Sequence, residues 1–162
     1  MSNPFWEYSL SAYAAHGVAD ACLSAQDDCG VDVNLLLYAA WLSRNGQLLT
    51  EEHLTGLEAA VADWRARAVE PLRRLRRDLK TLPGAEDLRE QVKALELSAE
   101  RQQQDILWQC HRQAESLPAA DSPLASNLER VFRAAKAPEN DAADLRARLV
   151  AALEGVAGAP AQ

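Results

Sequence analysis

The chain has 162 residues, of which 48% are hydrophobic and 25% charged, and its formal net charge is −7. This length suits one domain, which would bury roughly two-thirds of the surface exposed by the unfolded chain. Ala, Leu, Glu and Arg dominate while β-branched residues are scarce, so we predict an all-α protein. The acidic balance argues against general nucleic-acid binding.

Neither a targeting segment nor a disulfide framework is indicated. The three cysteines are an odd number without a CxxC pair, and no histidine stands at zinc-site spacing from them. The amino terminus lacks the basic and apolar regions of a signal peptide. The longest apolar run has eight residues, whereas a spanning helix needs about 18 or more. We therefore expect a cytoplasmic protein without membrane insertion, cofactor or metal.

Three short helices are predicted at the start of the chain. The first runs from about Pro4 to Ala15 and the second from about Val18 to Asp28. Asp32 caps the third, Val33 to Arg44, in which every residue from Leu35 to Leu42 is apolar or aromatic. A helix that is apolar on all sides has to be enclosed by others. The third helix is therefore the expected centre of the fold.

A long fourth helix, from about 51 to 81, is predicted after a cap at Thr50. Its apolar residues recur at intervals of three and four. These residues are Leu54, Leu57, Val61, Trp64, Ala68, Leu72, Leu75, Leu79 and Leu82. Pro71 lies inside the helix and removes one amide hydrogen bond, so we predict a kink from Ala68 to Pro71 with the helix continuing.

A turn at Pro83 and Gly84 leads into a fifth helix from about 85 to 116, which would form an antiparallel hairpin with the fourth. Its inward residues follow a nearly heptad spacing typical of a coiled coil. They are Leu88, Val92, Leu95, Ala99, Gln102, Ile106, Gln109, Gln113 and Leu117. The pattern leaves open whether this hairpin packs on residues 1–50 or on another subunit of a homo-oligomer.

Two more helices are predicted at the carboxyl end. The first, about Pro123 to Lys136, is capped by Ser122, and the second, about Ala142 to Glu154, is capped by Asp141. The architecture is thus a helical bundle in a single domain over residues 1–154. Residues 155–162, which are small and flexible, are predicted to be a disordered tail.

Positive charge is concentrated in the fourth helix. The net charge is +4 from Asp63 to Lys80, against −7 for residues 1–62 and −4 for residues 81–162. One interpretation is a docking face for an acidic partner, with phospholipid headgroups and nucleic acid as other polyanions. Its contacts would be Arg65, Arg73, Arg74, Arg76, Arg77 and Lys80. The other interpretation is that this segment pairs with the acidic amino-terminal helices and solvates one helix face.

An acidic turn around Gly30 is the second candidate site. It looks a little like the aspartate-rich motif of isoprenoid synthases, which are all-helical and bind diphosphates through Mg²⁺. Here the spacing differs from DDxxD by one residue, and Gly30 should interrupt the helix. The candidate ligand-binding residues are Asp27, Asp28, Asp32, Asn34 and Tyr38. In the alternative interpretation, Asp32 caps a helix and the other two aspartates lie on the surface.

Three segments carry a family resemblance: NPFWEYSLSAY, then HGVADACLSAQDDCGVDVNLLLYAAWL, then WRARAVEPLRRLRRDLK. Over residues 3–80 the chain resembles an uncharacterised family of small proteobacterial proteins, a domain of unknown function. The resemblance implies a bacterial, cytosolic, helical protein and assigns no site residue. Our favoured hypothesis is a non-enzymatic interaction or adaptor protein that binds an acidic partner through the Arg-rich helix face. The alternative is a small-molecule binder or an isoprenoid-synthase-like, metal-dependent enzyme.

Overall fold

A computed structural model describes residues 2–156, and this part of the chain is all-α, as predicted, without a β-strand. The helices are α1 (Pro4–Ala14), α2 (Val18–Cys29), α3 (Val33–Arg44), α4 (Glu51–Trp64), a π-helical segment (Arg65–Val69), α5 (Glu70–Leu79), α6 (Glu86–Gln113), α7 (Leu124–Ala134) and α8 (Glu139–Leu153). None of the helices in this described range is both long and apolar enough to cross a bilayer.

The predicted single domain comprises two compact units. Among the described residues, 2–54 and 114–156 form the terminal unit, and 55–113 form the hairpin unit. The described chain ends at Val156, whose side chain is buried, and the rest of the predicted tail lies outside the described residues.

Helix α3 is the centre of the terminal unit, as its sequence predicts. The carboxylate of Asp32 accepts hydrogen bonds from the backbone N–H groups of Asn34 at 2.8 Å and Leu35 at 3.4 Å. Every residue from Asn34 to Leu42 is buried. Helices α1, α2 and α7 all pack against α3. The enclosure that an all-apolar helix requires is therefore supplied from both ends of the chain.

The start of α1 and the end of α2 agree with the prediction. The side chain of Asn3 accepts the N–H of Trp6 at 3.1 Å and caps α1. Helix α2 stops at Gly30, whose φ of +66° lies in the left-handed region. Glycine takes this conformation without the steric cost that a Cβ would bring. Gly30 thus separates the acidic end of α2 from the cap of α3.

A buried amide, which the sequence analysis did not single out, connects α3 to α7. Asn127 is fully buried, and its Oδ1 accepts the N–H of Leu49 at 2.8 Å. Its Nδ2 donates to the Ser43 hydroxyl at 2.9 Å, the Gln47 carbonyl at 3.0 Å and the Ala39 carbonyl at 3.3 Å. A buried amide without partners would be destabilising, so these bonds fix α7 against α3 and the following loop.

The two carboxy-terminal helices exist as predicted, but both predicted caps are wrong. Ser122 has a φ of +49°, and Pro123 precedes α7 without a side-chain cap. Helix α8 begins at Glu139, three residues earlier than expected, so Asp141 lies in its first turn. Pro138 immediately precedes α8, where its fixed φ suits a helix start. The polar residues between α7 and α8 are therefore compatible with several helix starts, and α8 begins directly after Pro138.

The hairpin unit has the predicted antiparallel arrangement. Arg73 contacts Glu100, and Arg76, three residues later, contacts Glu96, so α5 and α6 run in opposite directions. The buried side of α6 consists of Val92, Glu96, Ala99, Gln103, Gln104 and Leu107. The predicted inward row is right at Val92 and Ala99. It is wrong at the exposed residues Leu88, Leu95, Gln102, Gln109 and Gln113. Its coiled-coil character stays a prediction.

Candidate functional site

A π-helical turn sets the orientation of the basic helix. The N–H of Glu70 donates to the carbonyl of Arg65, five residues earlier, instead of the four of an α-helix. The next residue is Pro71, which has no amide hydrogen to give to the α-helical ladder. A π turn holds one residue more than an α turn. Every residue after it is therefore rotated by about 100° relative to an uninterrupted α-helix.

This rotation changes which residues of the predicted apolar row beyond Trp64 are buried. Val69 is buried, although the uninterrupted pattern places its neighbour Ala68 inside. Leu75 and Leu82, predicted to face inward, are 44% and 54% exposed. Leu79 is buried, as predicted. Instead of Leu75, the side chains that turn toward α6 are those of two arginines.

Arg73 and Arg76 converge on the buried carboxylate of Glu96, whose side chain is 8% exposed. Arg73 Nε donates to Glu96 Oε1 at 3.3 Å, and its Nη2 donates to Glu100 Oε1 at 3.2 Å. Arg76 forms two hydrogen bonds to the two oxygens of Glu96. Removing one member of such a cluster leaves a desolvated charge without its counterion. These two arginines therefore hold the hairpin together.

Two further arginines of the segment pair within their own helix. Arg65 Nη1 lies 3.1 Å from Glu58 Oε2, with the arginine about a quarter exposed. Arg67 lies 3.3 Å from Asp63, and both side chains are largely exposed, so this pair adds little stability. The acidic counterparts of the basic segment thus include α4 and α6. The sequence-based interpretation with internal pairing placed these acidic partners in the amino-terminal helices, and that part of it stays a prediction.

Arg74, Arg77 and Lys80 are the exposed members of the predicted partner-binding set. They follow one another at intervals of three. Arg74 and Arg77 directly follow the two arginines that bind Glu96, and Lys80 follows Leu79, the last residue of α5. The predicted docking face therefore separates into a structural group that binds Glu96 and an exposed group, which we call the basic row: Arg74, Arg77 and Lys80.

The acidic turn has a different arrangement from the one a metal site needs. Asp27 and Asp28 are exposed in the last turn of α2, while Asp32 caps α3. Among residues 2–156, no group of three or more His, Cys, Asp or Glu side chains is placed to hold a metal ion. A ligand role for these aspartates stays a prediction, which a thermal-shift titration with Mg²⁺ and a diphosphate tests.

Tyr38 is a core residue with a partner that the sequence does not reveal. Its side chain is fully buried, and its hydroxyl lies 2.7 Å from Nε2 of His53, fifteen residues later. The edge of its ring meets Phe5, with centroids 5.5 Å apart and planes at 88°. Burial lowers the pKa of His53 below its ordinary value. Asn34, the other predicted pocket residue, is buried in the first turn of α3.

The cysteines are free thiols in environments that disfavour the thiolate. Burial raises the pKa of Cys22 to about 12. Burial also raises the pKa of Cys29, and the nearby carboxylates of Asp141 and Asp28 raise it further. Burial raises the pKa of Cys110 as well. Because the thiolate is the reactive form, the arrangement favours inert thiols over a nucleophile.

The described residues define an all-α protein whose helical hairpin buries a charged cluster and exposes a basic row. The chain belongs to the family described as "Protein of unknown function (DUF2390)", whose model matches residues 4–107. This confirms the family resemblance and extends it from residue 80 into α6. No curated protein and no solved structure matches the chain. The proteobacterial origin implied by the resemblance stays a prediction.

Proposed function

We propose that this protein is a non-enzymatic interaction protein of the bacterial cytoplasm that binds an acidic protein partner through the basic row. One observation carries the proposal. Arg73 and Arg76 are held by Glu96 and Glu100, whereas the side chains of Arg74, Arg77 and Lys80 are exposed. The cations that bind the buried Glu96 and the cations that lie on the surface are therefore different residues.

The charge layout favours an acidic protein segment over nucleic acid. The whole chain carries −7, so a long polyanion is repelled by most of the molecule. A short acidic helix or loop would meet only the local positive field of α5. Its binding should weaken with added salt, because exposed charges are screened beyond about 8 Å at physiological ionic strength. Self-association through the hairpin is a second contact compatible with the same unit.

The test is a triple charge reversal in the basic row, Arg74→Glu, Arg77→Glu and Lys80→Glu. The probe is a fluorescein-labelled, glutamate-rich helical peptide measured by anisotropy, with a lysine-rich peptide as the chemical control. We expect the reversal to weaken binding of the acidic peptide at least about tenfold, because three attractive charges become repulsive. Circular dichroism should be unchanged, since all three side chains are exposed.

A matched control makes the same change in total charge elsewhere. Arg112, Lys136 and Arg148 are exposed basic residues outside α5, and all three are changed to Glu. If this control weakens peptide binding as much as the basic-row variant, only net charge matters and the assigned site is wrong. Affinity purification from the native host with the same two variants extends the comparison to cellular partners. Unchanged partners in the basic-row variant would contradict the proposal.

A further inference from the structure

The guanidinium of Arg89, near the start of α6, is partly buried without a counterion. Its Nε is buried and has no hydrogen-bond partner among the described residues. Nor does any carboxylate in this part of the chain form an ion pair with its side chain. A donor that leaves water without finding an acceptor costs free energy, so such a group calls for an explanation. An acceptor supplied by another molecule would remove this cost.

Arg89 projects from the same strip of α6 as the carboxylates of the charged cluster. It precedes Glu96 by seven residues, which is close to two turns of an α-helix. Lys93 precedes Glu100 by the same number of residues and is exposed. Because both glutamates contact α5, Arg89 and Lys93 lie at the border between α6 and α5, two turns nearer the hairpin turn.

Helix α5 contributes a third basic side chain to the same border. Lys80 follows Arg73 by seven residues and keeps helical dihedral angles, with φ −58° and ψ −30°, so it lies on the strip of α5 that contacts Glu96. The helices are level where Arg76 binds Glu96. Four residues nearer the turn, Lys80 is therefore level with Val92, which lies between the two basic residues of α6. We call these three residues the cation layer: Lys80, Arg89 and Lys93.

The charged cluster and the cation layer differ in their balance of charge. In the cluster, two arginines of α5 bind two glutamates of α6. In the cation layer the same strips of both helices carry Lys or Arg, and none of the three side chains forms an ion pair with a described residue. Glu86 and Glu90, the acids on either side of Arg89, are exposed and form no ion pair with it. The hairpin therefore leaves the positive charge of this layer without a counterion.

We infer that the cation layer binds a carboxylate of the acidic partner, with the Arg89 guanidinium as its principal donor. The inference rests on the proposed function and adds residues of α6 to the binding site. A carboxylate accepts two parallel hydrogen bonds from a guanidinium and also offsets the charge of the layer, as Glu96 does for Arg76 in the neighbouring cluster. Because the Arg89 side chain is only partly buried, a carboxylate at the surface can turn it outward and give Nε an acceptor. The basic row ends at Lys80, so a partner that follows this row toward the turn reaches Arg89 next.

The first experiment removes single charges and measures binding of the glutamate-rich helical peptide by anisotropy. Arg89→Gln should raise the peptide dissociation constant at least about tenfold, because hydrogen bonds between two charged groups are lost. Lys93→Gln should raise it only about twofold, since an exposed cation contributes less. The matched control is Arg112→Gln, which removes an exposed arginine from the last turn of the same helix. Equal effects of Arg89→Gln and Arg112→Gln would overturn the inference.

The second measurement separates binding from folding. Because Arg89 binds no described carboxylate, Arg89→Gln without peptide should change the melting temperature by less than about 2 °C. Glu96→Gln, which removes the carboxylate shared by two arginines, should lower it by more than about 4 °C. A drop in Arg89→Gln as large as that in Glu96→Gln would assign Arg89 to the fold and overturn the inference.

A double-mutant cycle tests whether the ligand is a carboxylate of the peptide. Each peptide glutamate is changed to glutamine in turn, and binding is measured to the wild type and to Arg89→Gln. One peptide position should lose at least about fivefold of its effect in Arg89→Gln, because the two charged groups contact each other. Inorganic phosphate is the competing small anion. A phosphate-induced rise in melting temperature that Arg89→Gln abolishes, with peptide binding unchanged, would place a free anion in the layer and overturn the inference.

A further variant separates this inference from the proposed function. Arg74→Glu with Arg77→Glu changes the basic row and leaves the cation layer intact. Loss of peptide binding in this variant but not in Arg89→Gln would leave the proposed function standing and overturn the inference. Loss in Arg89→Gln alone would support the inference and contradict the basic row as the binding site. A wild-type protein that does not bind the peptide contradicts both.

Discussion

The two units differ in the polar groups around which their helices pack. In the terminal unit an uncharged amide, Asn127, is buried with all its partners, and the apolar helix α3 is fully enclosed. In the hairpin unit the buried polar groups include a carboxylate, Glu96, held by two arginines, beside the amides of Gln103 and Gln104, while Leu75 and Leu95 are exposed. The first arrangement encloses a central helix. The second joins two helices through a charged cluster.

This difference has an energetic consequence. Buried apolar side chains each contribute about 1.5–3 kcal/mol, so the terminal unit depends mainly on burial and on correct hydrogen bonding of a few amides. A buried ion cluster contributes little net stability, but it is costly to break because desolvated charges are left behind. The hairpin unit should therefore respond more to single charge removal than to loss of an exposed leucine.

The largest effect is expected from Asn127→Ala in the terminal unit. The change leaves the N–H of Leu49 and the carbonyl of Gln47 without their partner and opens a small cavity, at a cost of about 3 kcal/mol. Urea denaturation measures the difference in the free energy of unfolding. Asn140→Ala, on the exposed side of α8, is the control and should change stability by less than about 0.5 kcal/mol. Equal effects of the two substitutions would refute the assigned role of Asn127.

Glu96→Gln should give the next largest effect, in the hairpin unit. It leaves Arg73 and Arg76 without their shared carboxylate, and because each arginine is about one-fifth exposed we expect about 2 kcal/mol. Glu90→Gln, at an exposed position of α6, is the control. Replacing Arg73, Arg76 and Glu96 together by leucine or methionine should restore most of the lost free energy of unfolding. A triple variant as unstable as Glu96→Gln would contradict this account.

The π-helical turn offers a third and smaller test. Deleting the exposed Ala66 together with Pro71→Ala removes the extra residue and restores the missing amide, so α4 and α5 should join as a regular helix with the same phase. We expect a change in the free energy of unfolding within about 1 kcal/mol. Glu96→Gln should remain as costly in this background as in the wild type. If its cost disappears, the turn does not set the orientation of Arg73 and Arg76.

The smallest expected effect is the pH dependence contributed by His53. Because burial lowers its pKa in the folded state, the unfolded chain binds a proton more readily. Stability is therefore full above the ordinary histidine pKa of about 6.5 and falls as the pH drops from there to the lower, folded pKa. The melting temperature of His53→Gln should vary less over this range than that of the wild type. His16→Gln, an exposed histidine, should behave like the wild type.

The sequence by itself determined the helices and the centre of the terminal unit. The all-apolar run from Leu35 to Leu42 and the cap at Asp32 act within a few residues, so local chemistry decides where α3 begins and that it must be enclosed. Local chemistry likewise sets the start of α1 at Asn3 and the end of α2 at Gly30. These features need no knowledge of which other segment supplies the packing.

Only the tertiary structure decided which arginines serve the fold. One extra residue in the turn before Pro71 rotates everything that follows, so the row expected to contain Leu75 contains Arg73 and Arg76 instead. Glu96 lies twenty residues after Arg76 in the sequence, and the hydrogen-bond partners of Asn127 lie about eighty residues before it. Periodicity describes one helix at a time, whereas these contacts depend on the register between helices. The division of the basic helix into a structural group and a basic row is therefore a product of that register.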